Sequence, residues 1–293
     1  MRHVQDGPLK SLSQVSHYEA IPMKKRILFG TMNQAEMMDF QDALISVYCE
    51  NPCQVLPNAI WKTLAELESL ETSLEVEGNV IAHLEAWGER ELFLYWDRNQ
   101  ANIPHHHLTD LRFALIHQEF VHAIPTAHFI TQKRYFRLIH RNEPIPKAQP
   151  PAGFGIVNVD VGTESHLVAD LIGRCYADLH PSEESVRGWM HHPVFDPELW
   201  IWVIDEKKGG PVGLGIAEVD FSVSEASLEW IQVLPSYRSR GLGKSIVREL
   251  LSRLRGRVAF TTVSGEVDNQ TNPETLYRSC GFRGNDIWWV LRS

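Results

Sequence analysis

The stretch Val233-Leu-Pro-Ser-Tyr-Arg238-Ser-Arg-Gly241-Leu-Gly243-Lys-Ser245 decides the fold. Ahead of it, Ser227 to Val233 predicts a strand that Pro235 stops. Behind it, Leu242, Ile246, Leu250 and Leu254, joined by Val247 and Leu251, recur at helical spacing. A strand therefore feeds a helix through a turn rich in arginine and glycine. The first N–H groups of a helix have no intrahelical acceptors and the helix dipole adds partial positive charge, so phosphate is the expected guest. Gly241 and Gly243 remove side chains where an anion would approach the backbone, while Arg238, Arg240 and Lys244 bring charge. From Arg238 to Arg257 seven basic residues stand against one acid, Glu249, in a chain of formal net charge −9. A lone Gly-x-Gly also fits a helix that merely begins with glycines and carries a solvated basic face. A nucleoside-triphosphate loop is excluded, because its pattern needs glycine five residues before Gly243, where Arg238 stands.

Arg238-Ser-Arg-Gly241-Leu-Gly243 resembles the Q/R-x-x-G-x-G/A signature of the GNAT superfamily of N-acetyltransferases. Asn272-Pro-Glu-Thr-Leu-Tyr277-Arg-Ser-Cys-Gly281-Phe282 resembles that family's later N...LYxxxGF helix. The two motifs stand in the family's order, with a strand predicted over Val258 to Val263 between them. The resemblance covers Phe154 to Ser293. It implies an α+β GNAT fold, a central, mostly antiparallel mixed sheet flanked by helices, here preceded by a smaller α/β domain. It further implies acetyl-CoA as cosubstrate and direct attack by a primary amine, without an acyl-enzyme or a metal.

Under that resemblance Tyr277 is the general acid for the departing thiolate and Glu229 the base. Glu218 and Asp220, on the preceding strand, are the substitutes for Glu229. The family's cofactor contacts fall on Gln232, Val233, Arg238, Ser239, Arg240, Gly241, Leu242, Gly243, Lys244 and Ser245. An asparagine often stands seven residues before the tyrosine in the family. Gln270 holds that position here, and Asn269, just beyond it, competes for the role. Asn272 reads first as the cap of the later helix, with Pro273 at its first position and Gly281 at its end. Read as residues alone, Tyr277 is equally a core side chain packed with Leu276. Alternation along the strand places Glu229, Ile231 and Val233 on one face.

With 43% hydrophobic and 22% charged residues, the 293-residue chain is globular and long enough for two cores. A pI near 5.9 argues against a general nucleic-acid or membrane-surface binder. No apolar run matches a membrane span and the start lacks a signal-peptide core, so the expected location is the cytoplasm. Cys49, Cys53, Cys175 and Cys280 are too scattered for a disulfide scaffold. Cys49 and Cys53 could share a helix at i, i+4, but no second ligand pair stands nearby.

Residues 1–22 are polar and without periodicity and are expected to be a loose tail, with Met23 a candidate start. Residues 23–142 form the N-terminal α/β domain. Helices are predicted over Asn33 to Tyr48, Asn58 to Leu74 and Leu108 to Val121, a hairpin around Gly88-Glu89-Arg90, and strands at Ala127 to Thr131 and Tyr135 to His140. This order is GNAT-like, but no Q/R-x-x-G-x-G occurs between Trp96 and Val121, so the half is read as degenerate. The His105-His106-His107 run reads as a polar helix start. Four prolines between 143 and 153 mark a linker, and 154–293 is the second domain, with Thr163 capping its first helix. Its acceptor site is expected between Tyr176 and Trp189, for a small-molecule amine, in a monomer or homodimer. A non-catalytic acyl-CoA-binding sensor and a protein or peptide N-acetyltransferase are the alternatives.

Overall fold

The computed structural model describes residues 39–100 and 108–293, which pack as two units. The first holds described residues up to Leu138, with Ser264–Glu274 and Gly284–Ser293; the second holds Ile139–Val263 and Thr275–Arg283. The expected tail and the triple histidine lie outside the described residues. The stretch 143–153, expected as a linker, packs within the second unit: Ala148 is buried and the Ser245 hydroxyl donates to Gln149 O at 3.4 Å. Residues 264–274 and 284–293, expected in the C-terminal domain, pack with the first unit instead.

Helix α1 (Phe40–Glu50) begins at Asp39, whose carboxylate accepts the Asp42 N–H at 2.8 Å, and it buries Ala43, Leu44, Val47 and Tyr48 along one stripe. Asn51 and Pro52 end it. Cys49 is therefore exposed at the end of α1 while Cys53 is buried in α2 (Pro52–Val55), and the two do not share a helix. The helix expected over Asn58 to Leu74 is cut short. Helix α3 spans Ile60–Leu64, a 3-10 turn covers Leu67–Ser69, and strand β1 (Glu71–Glu77) follows. Pairing of β1 with β2 (Val80–Trp87), from Glu71↔Trp87 to Glu77↔Val80, overrides the helical preference of this Glu/Leu-rich segment. Strand β3 (Glu91–Asp97) returns through Gly88, whose N–H donates to Glu91 O at 2.8 Å.

The helix expected over Leu108 to Val121 is a 3-10 turn, Leu108–Asp110, followed by strand β4 (Phe113–His117). All five β4 residues are buried, and an apolar run this short has no period that separates strand from helix. A 3-10 turn at Thr126–His128 replaces the strand expected at Ala127 to Thr131, and β5 (Thr131–His140) follows.

Next come β6 (Phe154–Asn158), α4 (Ser165–Cys175) and α5 (Glu183–Trp189). Glu164, not Thr163, holds the cap position of α4, and its carboxylate accepts the Asp160 N–H and the Trp202 Nε1–H, both at 2.8 Å. Strands β7 (Trp200–Asp205), β8 (Pro211–Asp220) and β9 (Glu225–Val233) form a meander. Helix α6 (Leu242–Leu254), β10 (Phe260–Glu266), α7 (Pro273–Arg278) and β11 (Arg283–Arg292) complete the chain.

The strand orders are β6-β7-β8-β9-β10 and β1-β2-β3-β4-β11-β5, mostly antiparallel, which gives the mixed α/β class expected. The two sets share a design. In each, three antiparallel strands lead to a fourth that runs parallel to the third: β7-β8-β9 to β10, and β1-β2-β3 to β4. In each, a register shift gives the third strand one extra residue, right where pairing to the fourth stops. Leu228 pairs with both Ala217 and Val263, Trp230 pairs with Ile216, and Glu229 is the extra residue. Likewise Leu92 pairs with Trp87 and Ala114, Leu94 pairs with Ala86, and Phe93 is the extra residue.

Helix α6 lies against β8 where that strand has no side chains. A Cβ on Gly215 would stand 2.4 Å from Ile246 Cγ2 and 3.2 Å from Leu250 Cδ1. Gly215→Ala is expected to cost about 1–3 kcal/mol by overpacking. At Gly188 in α5 nothing lies within 4 Å of an added Cβ, and its φ is not in the left-handed region. Gly188→Ala is expected to gain about 0.4–1 kcal/mol through the unfolded chain. Urea unfolding of both variants checks the opposite signs.

Candidate active site

The bulge at Glu229 sorts the side chains of β9. Gly213 and Gly215 of β8 face α6, and their partners Val233 and Ile231 share that face. The partners of Leu214 and Ile216, namely Gln232 and Trp230, face the other way. There Gln232 Nε2 donates to the Tyr176 hydroxyl at 2.7 Å and Trp230 stacks on Trp189, with centroids 5.3 Å apart and planes at 18°. Glu229 does not share the face of Ile231 and Val233, because the extra residue breaks the alternation. Its carboxylate instead takes the Ser227 hydroxyl at 2.7 Å. Ser227 stands opposite Glu218, whose Oε1 is 3.6 Å from His192 Nδ1. Asp220 is occupied at its turn, accepting from the Ser222 N–H at 2.9 Å.

Pairing between β9 and β10 runs from Glu225↔Phe260 to Leu228↔Val263, so this ladder stops at the bulge. Beyond it β9 continues to Val233 and enters the turn through a 3-10 stretch, Pro235–Tyr237. Ser239 (φ 61°) and Gly241 (φ 83°) are left-handed, and Gly241 holds the cap position of α6. Ser245 N–H is the first of the helix to meet a main-chain acceptor, Gly241 O at 3.1 Å, so the N–H groups of Leu242, Gly243 and Lys244 belong to the open first turn. Around Gly241 there is room: an added Cβ would meet only Pro151 Cγ, at 3.9 Å. Gly243 is different, because a Cβ there would stand 3.1 Å from Leu276 Cδ2 on α7. Its missing side chain serves packing against the second motif.

The charged groups of the turn are partly committed. Arg238 donates from Nε to Val233 O (3.1 Å) and from Nη2 to Cys175 O (3.3 Å). Arg240 donates to Ser236 O at 3.0 Å and lies over the Tyr237 ring at 5.0 Å. Ser245 is buried, its hydroxyl turned to Gly241 O and Gln149 O. Lys244 is half-buried and Leu242 buried. Open main-chain donors ringed by Arg240 and Lys244 fit a polyanion such as the pyrophosphate of a coenzyme A thioester.

Tyr277 is buried beside Phe282, centroids 5.8 Å apart. Burial first, and then the neighbouring Tyr176, Cys280 and Glu229, hold its phenol well above the ordinary tyrosine value. Burial also pushes the Cys280 thiol up, which keeps it protonated and a poor nucleophile. Past α7, Gly281 (φ 99°) turns the chain where a Cβ would stand 3.0 Å from the His140 ring. Asn269 spends its side-chain oxygen on the Thr271 N–H (2.9 Å) and hydroxyl (2.7 Å), and Asn272 is left-handed at φ 47°. Among the described residues no cluster of His, Cys, Asp and Glu could hold a metal ion, and no helix is long and apolar enough to cross a membrane.

The parted parallel strands, the bulge and the turn into α6 are carried by one mixed sheet and its helix. The fold is that of the GNAT N-acetyltransferases, and residues 197–284 match the acetyltransferase (GNAT) domain model. A GCN5-related N-acetyltransferase from Sphaerobacter thermophilus superposes with TM-score 0.62 at 14% identity, over 86% of this chain and 91% of that one. A GNAT-family acetyltransferase from Colwellia psychrerythraea gives 0.55 at 11% identity, covering 87% and 97%. A tandem GNAT protein from the clavulanic acid biosynthesis pathway gives 0.51 at 12%, covering 86% and 93%. No curated protein matches the chain.

Sequence reasoning set the acceptor segment at Tyr176 to Trp189 but missed Ser227 and the link from Tyr176 to Gln232. Tyr176 sits one residue beyond α4 with no signature around it, and only the bulge brings Trp230 and Gln232 to its side.

Tyr176, like Tyr277, is held above the ordinary value, chiefly by burial. Both phenols bind their protons more tightly folded than unfolded. The stability this confers is complete below about pH 10 and is lost as pH rises beyond it. A pH series of urea midpoints should therefore fall above about pH 10, and should fall less in Tyr277→Phe.

Proposed function

We propose that the chain is an acetyl-CoA-dependent N-acetyltransferase acting on a primary amine, with the site in the second unit. The observation that carries this reading is the bulge at Glu229, which sets a carboxylate where β9 leaves β10, one turn ahead of the open N-terminus of α6. The main chain of Ser239 to Lys244, with Arg240 and Lys244, would hold the pyrophosphate. Gln232 and Val233 are the remaining proposed contacts within this unit; Asn269 and Asn272, expected as contacts, fall in the first unit. When bound, acetyl-CoA supplies an acetyl group activated as a thioester.

The residues of the chain then have distinct tasks. Glu229, held by Ser227, accepts a proton from the incoming ammonium, since only the free amine has a lone pair for attack. A main-chain N–H near Val233, at the end of β9, is the oxyanion donor. Tyr277 stays protonated through the neutral range and gives its proton to the departing sulfur. Trp189, Trp230 and Tyr176 form an apolar wall for the acceptor, a small molecule in this reading, with the protein placed in the cytoplasm as a monomer or homodimer.

The N-terminal unit is a degenerate GNAT-like half. Its bulge carries Phe93 where the other carries Glu229, and no glycine occurs between Trp96 and Val121 to open a phosphate turn.

Thiol release from acetyl-CoA, measured across a library of primary amines, tests the reading. With the best acceptor, Tyr277→Phe should lower turnover by about 100-fold while leaving acetyl-CoA affinity nearly intact. Glu229→Gln should lower it separately and remove the acidic limb of the pH profile. Binding of acetyl-CoA without turnover of any amine would favour the non-catalytic sensor. Undiminished affinity in Gly241→Trp would remove the cofactor from this turn.

A further inference from the structure

We infer that Arg238 is a positioning residue that couples the cofactor turn to the acceptor wall. The inference rests on the reading of that turn as the cofactor site. Its guanidinium bridges two carbonyls from different elements, Val233 O at the end of β9 and Cys175 O at the end of α4. The next residue, Tyr176, returns to β9 by accepting from Gln232 Nε2 at 2.7 Å. The chain from Gln232 to Val233, the Arg238 side chain, and the chain from Cys175 to Tyr176 thus close a ring. Tyr176 stands edge-on to Trp230, 6.4 Å between centroids, and Trp230 stacks on Trp189. One side chain of the turn therefore fixes the first member of an aromatic row on the opposite face of the sheet.

The residue type suits the task. The carbonyls at a helix C-terminus carry partial negative charge and lack intrahelical donors, so a cation there is favoured. Two acceptors on separate elements need two donors held in one plane. Arginine has that fork, whereas lysine offers a single mobile ammonium. A ligand that orders Ser239 to Lys244 restrains the backbone from which Arg238 springs, and through it Tyr176. The acceptor wall is then set once the turn is filled.

Hydrogen–deuterium exchange on the full chain tests the bridge without any ligand. Arg238→Ala and Arg238→Lys should both exchange about tenfold faster than wild type at residues 174–178, the scale of about one hydrogen bond lost. Unchanged exchange there in both variants overturns the bridge. Adding coenzyme A should slow exchange at 174–178 in wild type and fail to do so in Arg238→Ala. Coenzyme A that binds wild type yet leaves 174–178 unprotected overturns the coupling. Failure of wild type to bind coenzyme A overturns the cofactor reading and the coupling with it, while the ligand-free comparison still judges the bridge. In turnover, Arg238→Lys should raise the acceptor KM more than the acetyl-CoA KM; the reverse order overturns the assignment of Arg238 to the acceptor side.

Discussion

One extra residue in β9 organises the second unit. Because Glu229 is the extra residue where the β8–β9 register shifts, the strand changes which side chains it shows to each face, and the pairing of β9 with β10 runs up to that point. The main-chain groups of a central strand are thereby released from their ladder within a sheet, where leaving them unpaired would otherwise be costly. The same residue turns Trp230 and Gln232 towards Tyr176 and leaves Ile231 and Val233 under α6. A regular strand would have sent these two sets to the opposite sides.

Much of this unit is legible in the sequence because its signals are local. Pro235 ends a strand, the Leu242 to Leu254 stripe makes a helix, and a left-handed position after Arg240 calls for glycine. The bulge is not local. Glu229 looks like any residue of an alternating strand, and only the shift between Ile216 and Ala217 on β8 reveals that the alternation fails. In the first unit the misreadings have the same origin. Residues 71–74 continue the Leu/Glu-rich run that precedes them and so read as helix, but they join an outer strand because β2 offers a ladder, and 113–117 is too short for periodicity to speak. The stretch 143–153 carries the prolines of a linker, yet a buried Ala148 and a carbonyl taken by Ser245 tie it down.

The two units repeat a plan while differing in chemistry. Each has an antiparallel meander, a bulge on its third strand and a parallel fourth strand. In the first, the bulge residue is Phe93, whose ring lies 5.3 Å from that of Phe113 on the very strand that parts from β3. An apolar contact there closes by side-chain packing what the other unit leaves to a carboxylate. The backbone device is thus separable from the reactive group placed on it.

The contact between Gly243 and Leu276 binds the two sequence motifs into one physical object. With 3.1 Å between a hypothetical Cβ and Leu276 Cδ2, the size of residue 243 and the shape of residue 276 are not free to change independently. An alanine at 243 calls for a smaller or differently branched neighbour at 276, and such a neighbour alone would leave a void beside the turn. Across diverging copies of this chain the pair should drift together, as a lock and its key are recut together, even though 33 positions of sequence separate them.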